Sequence, residues 1–431
     1  MKKLIAISVM IALVAGAAFA QVPDGISFSG FGRGAFLPIK SVGAPKDAGE
    51  DVKYNGTSDN IESVSYTGSR VSWGGTVRTG FNFNGNFGAV GFQIEANEGG
   101  FTNGDNANVW AKPFQDGSDI VTLKIGQFTV DNLRGKIATD TGFENFVLGD
   151  MSGDIIFTRF QDYGFLLTSE PMEGVFIGFK VPGQEPELAK EAYKFMQLGF
   201  GYEIENIGHF RAQFVGGWMG SYDPTDKKWR YPNGTAPAML KPIDVSAIDP
   251  TDPDTFFGDH ARIEAAFALT SIENLLVDFG VKAHMPVEYK DTAKVSPGID
   301  VGLGASFNAD AFGVTASLAA TGIGKKVSGD ITGDKDWKGG MGIAFNVIPT
   351  YELDFATIGA SIGIRMDAES EFDGTGQKDK SSQIGFGAFI AKGLGQGEIR
   401  AGFAYALTPK YNGKEDGSSV LSIPIIVTYW F

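Results

Sequence analysis

The chain has 431 residues, with 60 glycines, no cysteine and a formal net charge of −15 at pH 7. Glycine is about twice as frequent as in an ordinary protein, and because it costs about 1 kcal/mol relative to alanine inside a helix, a mainly helical fold is disfavoured. The lack of cysteine excludes disulfides and thiolate zinc sites, and the acidity argues against nucleic-acid binding, which needs clustered positive charge.

The first twenty residues have the pattern of a secretory signal peptide. Two lysines follow Met1, an apolar run ends near Ala17, and the segment closes with Ala-Phe-Ala at 18–20. A basic start, a short apolar core and small residues at an A-x-A step predict cleavage after Ala20. The alternative is a membrane anchor, but the run is short for a spanning helix. We therefore expect an exported chain whose residues 21–431 form a single domain.

Beyond Ala20, apolar and polar residues alternate with a period of two. Near position 200, for example, Leu198, Phe200 and Tyr202 alternate with Gly199 and Gly201. Side chains alternate between the two faces of a β-strand, so each such segment has one apolar and one polar face. A soluble β-sandwich also alternates in this way, so the connections have to decide between the two.

The connections alternate between short and long along the whole chain. This pattern predicts an all-β fold, a transmembrane up-and-down antiparallel barrel of about 18 strands (16–20), with short periplasmic turns and long external loops. Short turns are expected near 84–87, 115–118, 170–174, 205–208, 271–274, 308–312, 348–351 and 393–396. Closure of a barrel satisfies every backbone hydrogen-bonding group, as a hydrocarbon environment requires.

The last strand carries the most specific signal. Leu421, Ile423, Ile425 and Val427 share one parity that continues through Tyr429 to the final residue, Phe431. In this strand the chain resembles the bacterial outer-membrane β-barrel family, whose members end in an alternating apolar strand with a terminal aromatic residue. The resemblance implies that Tyr429 and Phe431 form the signal read by the barrel-assembly machinery, with outer-membrane lipid around the barrel.

A second, shorter resemblance lies at 121–128, which reads V-T-L-K-I-G-Q-F. It is similar to the porin strand that precedes the third external loop, and this implies that loop 131–161 corresponds to the constriction loop of porins. The loop is also unusually apolar for an external segment, so we expect it to fold into the barrel. The alternative is that 154–160 is strand continuing above the membrane. The candidate constriction residues are Phe143, Glu144, Phe146, Asp150 and Asp154.

The parity that faces the lumen identifies the inner wall of the predicted barrel. The strongest basic candidates for lining the pore are Arg78, Lys124, Arg211, Arg262, Lys282, Lys338, Arg365 and Arg400, with Arg70, Lys112 and Lys180 on the same parity. The acidic residues of that parity are Glu95, Glu203, Glu264, Asp278 and Asp300. An excess of bases would favour anions, but inward charges that only keep the wall solvated remain an alternative.

Catalytic and metal-binding patterns are weak. Gly359-Ala360-Ser361-Ile362-Gly363 matches G-x-S-x-G, but a nucleophile elbow requires a strand-to-helix turn and this stretch is predicted to lie within a strand. The three histidines lack zinc-motif spacing. We therefore expect no enzyme activity, no cofactor and no metal.

The sequence thus predicts an outer-membrane porin whose water-filled channel lets small hydrophilic solutes diffuse passively, with a possible preference for anions. The alternative is a surface-exposed barrel that acts as an adhesin or antigen with little conductance. A homo-trimer and a monomer both remain open, because outward apolar residues serve lipid and subunit contacts alike.

Overall fold

The fold was analysed in a computed structural model, which describes residues 25–43, 70–97, 106–114, 118, 120–133, 159–183, 196–217, 220–222, 260–289, 293–329, 337–338, 341–372, 378–411 and 414–430. The predicted signal peptide lies outside the described residues, and export therefore stays a prediction. All five candidate constriction residues lie outside them as well.

The described residues form 23 strands in a single sheet. In chain order they are β1 (Ile26–Gly43), β2 (Arg70–Asn86), β3 (Val90–Asn97), β4 (Ala107–Ala111), β5 (Thr122–Val130), β6 (Phe160–Ser169), β7 (Val175–Pro182), β8 (Gln197–Ile204), β9 (Gly208–Val215), β10 (Gly220–Tyr222), β11 (Arg262–Ile272), β12 (Leu275–His284), β13 (Val287–Tyr289), β14 (Ala293–Ser296), β15 (Ile299–Ala309), β16 (Phe312–Ile323), β17 (Lys326–Gly329), β18 (Trp337–Lys338), β19 (Gly342–Leu353), β20 (Ala356–Phe372), β21 (Lys378–Gly393), β22 (Gly397–Tyr411) and β23 (Lys414–Trp430).

Eighteen of these strands form a closed antiparallel barrel, which confirms the predicted fold class and strand number. Each wall strand pairs with the next one along the chain, and the first pairs with the last, for example Phe31 with Trp430. The outward side chains of the wall are apolar and exposed, as at Ile263, Leu303 and Val427. Among the described residues, no helix has the length and apolarity needed to cross a membrane.

The other five strands, β10, β13, β14, β17 and β18, are short and extend the sheet beyond the wall at the end with the long connections. One of them corrects the sequence analysis. Lys338 was expected on the inner wall, but it lies on β18, where its backbone pairs with Lys326 and Glu371. It therefore belongs to this extension and not to a wall strand.

At the other end of the barrel, tight turns join neighbouring strands. Asn274 and Asp310 adopt positive φ angles of 63° and 48° in these turns, a conformation that Asn and Asp tolerate better than other side chains. One predicted turn was wrong: the stretch 348–351 lies inside β19, and the chain reverses at 354–355.

Candidate functional site

Burial alternates along the wall strands and identifies the inner face. On β8, Gln197, Gly199 and Gly201 are buried, whereas Leu198 and Phe200 are exposed on the outer side. The same alternation places six of the predicted basic residues on the inner face. These are Lys124, Arg211, Arg262, Lys282, Arg365 and Arg400. The backbone of Arg78 lies in β2 opposite Arg33, and its side chain is outside the described residues.

A polar row crosses the inner wall from β9 to β15. Gln213, Glu264, Lys282 and Asp300 occupy successive paired positions on β9, β11, β12 and β15. The Glu264 carboxylate accepts hydrogen bonds of 2.6 Å from Gln213 Nε2 and from Arg262 Nε. Side chains of opposite charge at paired positions stabilise a sheet, so the row ties four strands together on their inner side.

The end of the row at Asp300 is anchored in the same way. Its carboxylate lies 2.9 Å from His284 Nε2 and accepts a 2.8 Å hydrogen bond from the Gly322 backbone N–H. Both carboxylate oxygens are therefore engaged at the end of the barrel that carries the long connections.

A buried ion pair lies next to this row. Arg211 on β9 and Asp278 on β12 form a salt bridge, and both side chains are 0% exposed. The strand between them, β11, places Ala266 opposite Arg211 and Ala268 opposite Asp278. These small side chains leave room for the guanidinium to reach over β11 to the carboxylate. Arg211 and Asp278 were predicted to line a wet pore, whereas here they are covered.

Charge on the described inner face is more balanced than the sequence analysis assumed. Glu398 lies on the inner parity of β22, 3.0 Å from the Arg400 guanidinium, and Glu170 lines the lumen after β6. Arg400 also lies 4.9 Å from the centre of the Phe389 ring. The paired positions that run from Arg211 through Gly280, Gly302, Ala319 and Ala344 to Arg365 carry no acid, and Arg211 has its counter-charge in Asp278 of the same wall.

The first residues of β6 leave the wall and enter the lumen. Phe160 and Thr168 are eight residues apart, which corresponds to about 26 Å along a straight strand. Thr168 pairs with Gly178 of β7, yet the Phe160 ring lies 2.6 Å from where a Cβ on Gly178 would be. β6 must therefore bend back over the inner face of β7.

The bend coincides with a pair of glycines. Gly126 on β5 pairs with Gly164 on β6, and Gly126 has a φ of +126°, which side-chain-bearing residues rarely adopt. Gly164 still pairs with Pro182 of β7. The wall ladders end one residue further on, where Gln127 pairs with Ala107 and the Tyr163 carbonyl accepts a hydrogen bond from Gly183 N–H. Residues 128–133 and 159–162, beyond these contacts, are called the inward segment.

The inward segment is held by an apolar cluster and by hydrogen bonds to the wall. The buried cluster consists of Phe128, Val130, Leu133, Phe160, Leu166, Phe176 and Ala266. The rings of Phe160 and Phe176 lie edge to face, with centroids 6.3 Å apart. Gln197 Nε2 donates to the Arg159 carbonyl at 3.1 Å, and Lys180 Nζ donates to the Gln161 carbonyl.

The sequence contains a further signal for this bend. On the outward parity of β5, Ile125 gives way to Gln127 and Thr129, and on that of β6 the aromatic residues Phe165 and Tyr163 give way to Gln161. Lipid-facing positions have to be apolar, so polar residues on that parity mark a segment that no longer faces lipid.

A cavity of about 420 Å³ opens at the short-turn end of the barrel, between the wall strands β1–β7 and the inward segment. Val130 and Asn132 of the inward segment form one side of it. Its wall includes Trp110, with Lys124 directly opposite on the paired strand. This cavity and the inward segment are the two features that shape the described part of the lumen.

Among the residues the structure describes, the G-x-S-x-G match does not form a nucleophile elbow. Ser361 lies in the middle of β20, buried on the inner face, and not at a strand-to-helix turn. Within the same residues, no group of three or more His, Asp or Glu side chains could hold a metal ion.

The chain is similar to solved outer-membrane porins and channels. The match to the outer membrane channel DcaP of Acinetobacter baumannii covers 95% of this chain and 99% of DcaP, at 14% sequence identity and a TM-score of 0.46. The match to Pseudomonas aeruginosa OpdQ covers 94% of this chain and 98% of OpdQ, at 10% sequence identity and a TM-score of 0.46. The match to an anion-selective porin from Comamonas acidovorans covers 94% of this chain and 99% of that porin, at 12% sequence identity and a TM-score of 0.42. No protein-family model and no curated protein matches the sequence.

Proposed function

We propose that this chain is an outer-membrane porin through which small hydrophilic solutes diffuse passively. The observation that carries the proposal is a closed barrel of eighteen strands with charged and amide side chains on its inner face. A barrel of this size is too wide for wall side chains to fill, so the lumen holds water wherever no other segment enters it. Polar side chains on the inner face fit a water-filled lumen, whereas a barrel with a solid apolar core would have apolar side chains there.

In this proposal the two stretches of the inward segment form the two ends of a constriction element. Residues 131–133 and 159–160 enter the lumen at both ends of loop 131–161, and they pack on the inner wall. The predicted constriction residues 143–154 lie between those two ends in the sequence. Deletion of 140–152 is therefore expected to raise the single-channel conductance, and an unchanged conductance would count against a constriction.

A modest preference for anions is part of the proposal. It rests on the basic side chains of the inner face, Lys124, Arg211, Arg262, Lys282, Arg365 and Arg400. The inner-face acids Glu264, Asp278 and Asp300 each have a basic side chain or His284 as a partner. Fixed positive charge in a pore attracts anions. Reversal potentials across a planar bilayer with a salt gradient measure this preference directly, and a cation preference would contradict it.

A second candidate function is a surface antigen or adhesin with a closed lumen. It is favoured by one observation: Arg211, Glu264 and Asp278 on the inner wall are 0% exposed, so water does not reach these three charged side chains. Single-channel recording of refolded protein separates the two candidates. Stepwise openings support the porin, and an insulating barrel supports the alternative.

Export and assembly follow from the same proposal. The segment 1–20 directs secretion, and Tyr429 with Phe431 presents the terminal signal to the barrel-assembly machinery. Tyr429 is 51% exposed on the outward face of β23, where another protein or lipid can contact it. Removal of Phe431 is expected to reduce assembly in cells while leaving refolding in detergent intact.

A further inference from the structure

The cavity at the short-turn end differs from the buried ion pair of the inner wall. Arg211 and Asp278 are buried, but the cavity side chains Trp110, Lys112 and Lys124 retain partial exposure. Its volume of about 420 Å³ lies within the range of roughly 300–1,000 Å³ of small-molecule sites. The cavity is therefore both open and large enough to receive a solute.

An aromatic platform forms part of the wall. The Trp110 indole lies against Gly91 on the neighbouring strand, so closely that a Cβ on Gly91 would overlap its six-membered ring. Glycine is required there because any side chain would displace the indole. One side of the ring lies against backbone, and the Lys112 ammonium lies over the side that faces the cavity. Rotation of this flexible side chain toward Lys124 uncovers a flat apolar surface that fits the C–H face of a pyranose ring.

Two ammonium groups flank the platform. Lys124 is the direct cross-strand partner of Trp110, which places their Cβ atoms about 5 Å apart. Lys112 lies two residues further along the strand of Trp110, with Nζ 5.5 Å from the ring centroid. Glu170 is the one acid among the lining residues, so the cavity carries a net positive charge from its side chains.

Neutral hydrogen-bonding groups complete the lining. Asn84 and Gln93 form one cross-strand pair, and Thr122 and Thr168 form another. Amides and hydroxyls both donate and accept hydrogen bonds, as a polyhydroxylated ring requires. Neutral donors and acceptors arranged around an aromatic surface, with ammonium groups at its side, match a sugar that carries one carboxylate.

We propose that this cavity is a binding site for monoanionic pyranose sugars, the hexuronates. The ring stacks on Trp110, the carboxylate lies between Lys112 and Lys124, and the hydroxyls bond to the amide and threonine side chains. The inference rests on the proposed function, because a solute has to enter the barrel to reach the cavity. Binding itself does not require conduction, and this makes the two separable.

The test uses full-length refolded protein and galacturonate as the probe. Calorimetry of the protein in detergent micelles measures binding, and single-channel recording measures both the open conductance and its interruption by the sugar acid. Galacturonate is expected to bind and to interrupt the current, galactose to bind at least about tenfold more weakly, which corresponds to 1.4 kcal/mol, and acetate to do neither.

Lys124→Gln is the decisive variant, and Lys392→Gln is its matched control. Lys392 is exposed on the outward parity of β21 at the same end of the barrel, so its substitution removes the same charge outside the cavity. Lys124→Gln is expected to weaken galacturonate binding about tenfold, and Lys392→Gln to leave it unchanged. Trp110→Phe keeps an aromatic ring and is expected to weaken galactose and galacturonate alike.

The outcomes separate the site from the channel. Galacturonate binding that is lost in Lys124→Gln without any conductance supports the site and overturns the porin. Normal conductance without detectable galacturonate binding overturns the site and leaves the porin in place. Equal affinity of wild type and Lys124→Gln, or of galactose and galacturonate, also overturns the site.

Discussion

Leu133, the third residue beyond β5, packs against Gly199 on the inner face of β8. Its side chain is 0% exposed, and a Cβ on Gly199 would overlap its Cδ1 atom and lie 2.8 Å from Cζ of Phe160. Residues 131–133 follow a wall strand, yet this contact places Leu133 inside the barrel. The glycine at 199 is what allows the inward segment to lie flat on the wall.

Gly199→Val is therefore expected to push the inward segment away from β8. The added atoms overpack the contact and destabilise it by about 1–3 kcal/mol, so the single-channel conductance should change from the wild-type value. Gly34→Val is the matched control, because no atom lies within 4 Å of a Cβ on Gly34. Identical conductance of both variants would show that the contact does not shape the channel.

Gly126→Ala tests the bend. At a φ of +126° an alanine is strained, and its Cβ would also overlap the Ala107 carbonyl oxygen. Strain of this type costs about 1–3 kcal/mol, and the urea midpoint of the refolded barrel should fall accordingly. Gly34→Ala, an exposed substitution without strain, is expected to stay within about 0.5 kcal/mol of wild type. Equal midpoints for the two variants would contradict a strained bend.

Asp278→Asn tests the buried ion pair. The substitution leaves the Arg211 guanidinium buried without its counter-charge, which costs about 3–5 kcal/mol. The comparison is Asp131→Asn, which removes a partly exposed pair with Arg159 at 3.2 Å and should cost less than about 1 kcal/mol. Both values come from equilibrium urea unfolding in detergent. A small effect at Asp278 would mean that water reaches this part of the wall.

The double variant Arg211→Met with Asp278→Leu distinguishes the stability cost of leaving one buried charge unpaired from the cost of losing both charges. When both charges are removed, no uncompensated charge remains, and stability should recover most of the loss caused by Asp278→Asn. A double variant as unstable as the single one would instead show that the pair contributes to stability through specific geometry.

Arg365→Gln tests the origin of the anion preference. Arg365 is a base on the inner face of β20, so its removal should shift the reversal potential toward zero selectivity. Lys392→Gln, which removes an outward charge, should leave the reversal potential unchanged. A shift in both variants would assign the preference to net charge and not to the inner face.

The turn predicted at 348–351 shows where sequence patterning misleads. The stretch contains Pro349, and proline has no N–H and usually interrupts strands. In the structure β19 continues through it: Pro349 pairs with Val314 of β16. On the other side, the pairing with β20 runs from Val347 to Thr350 and skips the two residues between them. The uninterrupted pairing with β16 is sufficient for β19 to continue through Pro349.

The sequence by itself determined the barrel, its strand number and the parity of its inner face. Alternation with a period of two is a local property, and it directly encodes which side chains face the lipid and which face the lumen. The basic residues Arg211, Arg262 and Lys282 could therefore be assigned to the inner face from the sequence alone.

Only the tertiary structure decided what those residues contact. Arg211 and Asp278 are 67 positions apart, and their pairing depends on the alanines of the strand that lies between them. The approach of Leu133 to Gly199 likewise depends on a bend at two glycines on separate strands. No local pattern specifies such contacts, because they arise only once the wall has closed and brings distant side chains into one enclosed space.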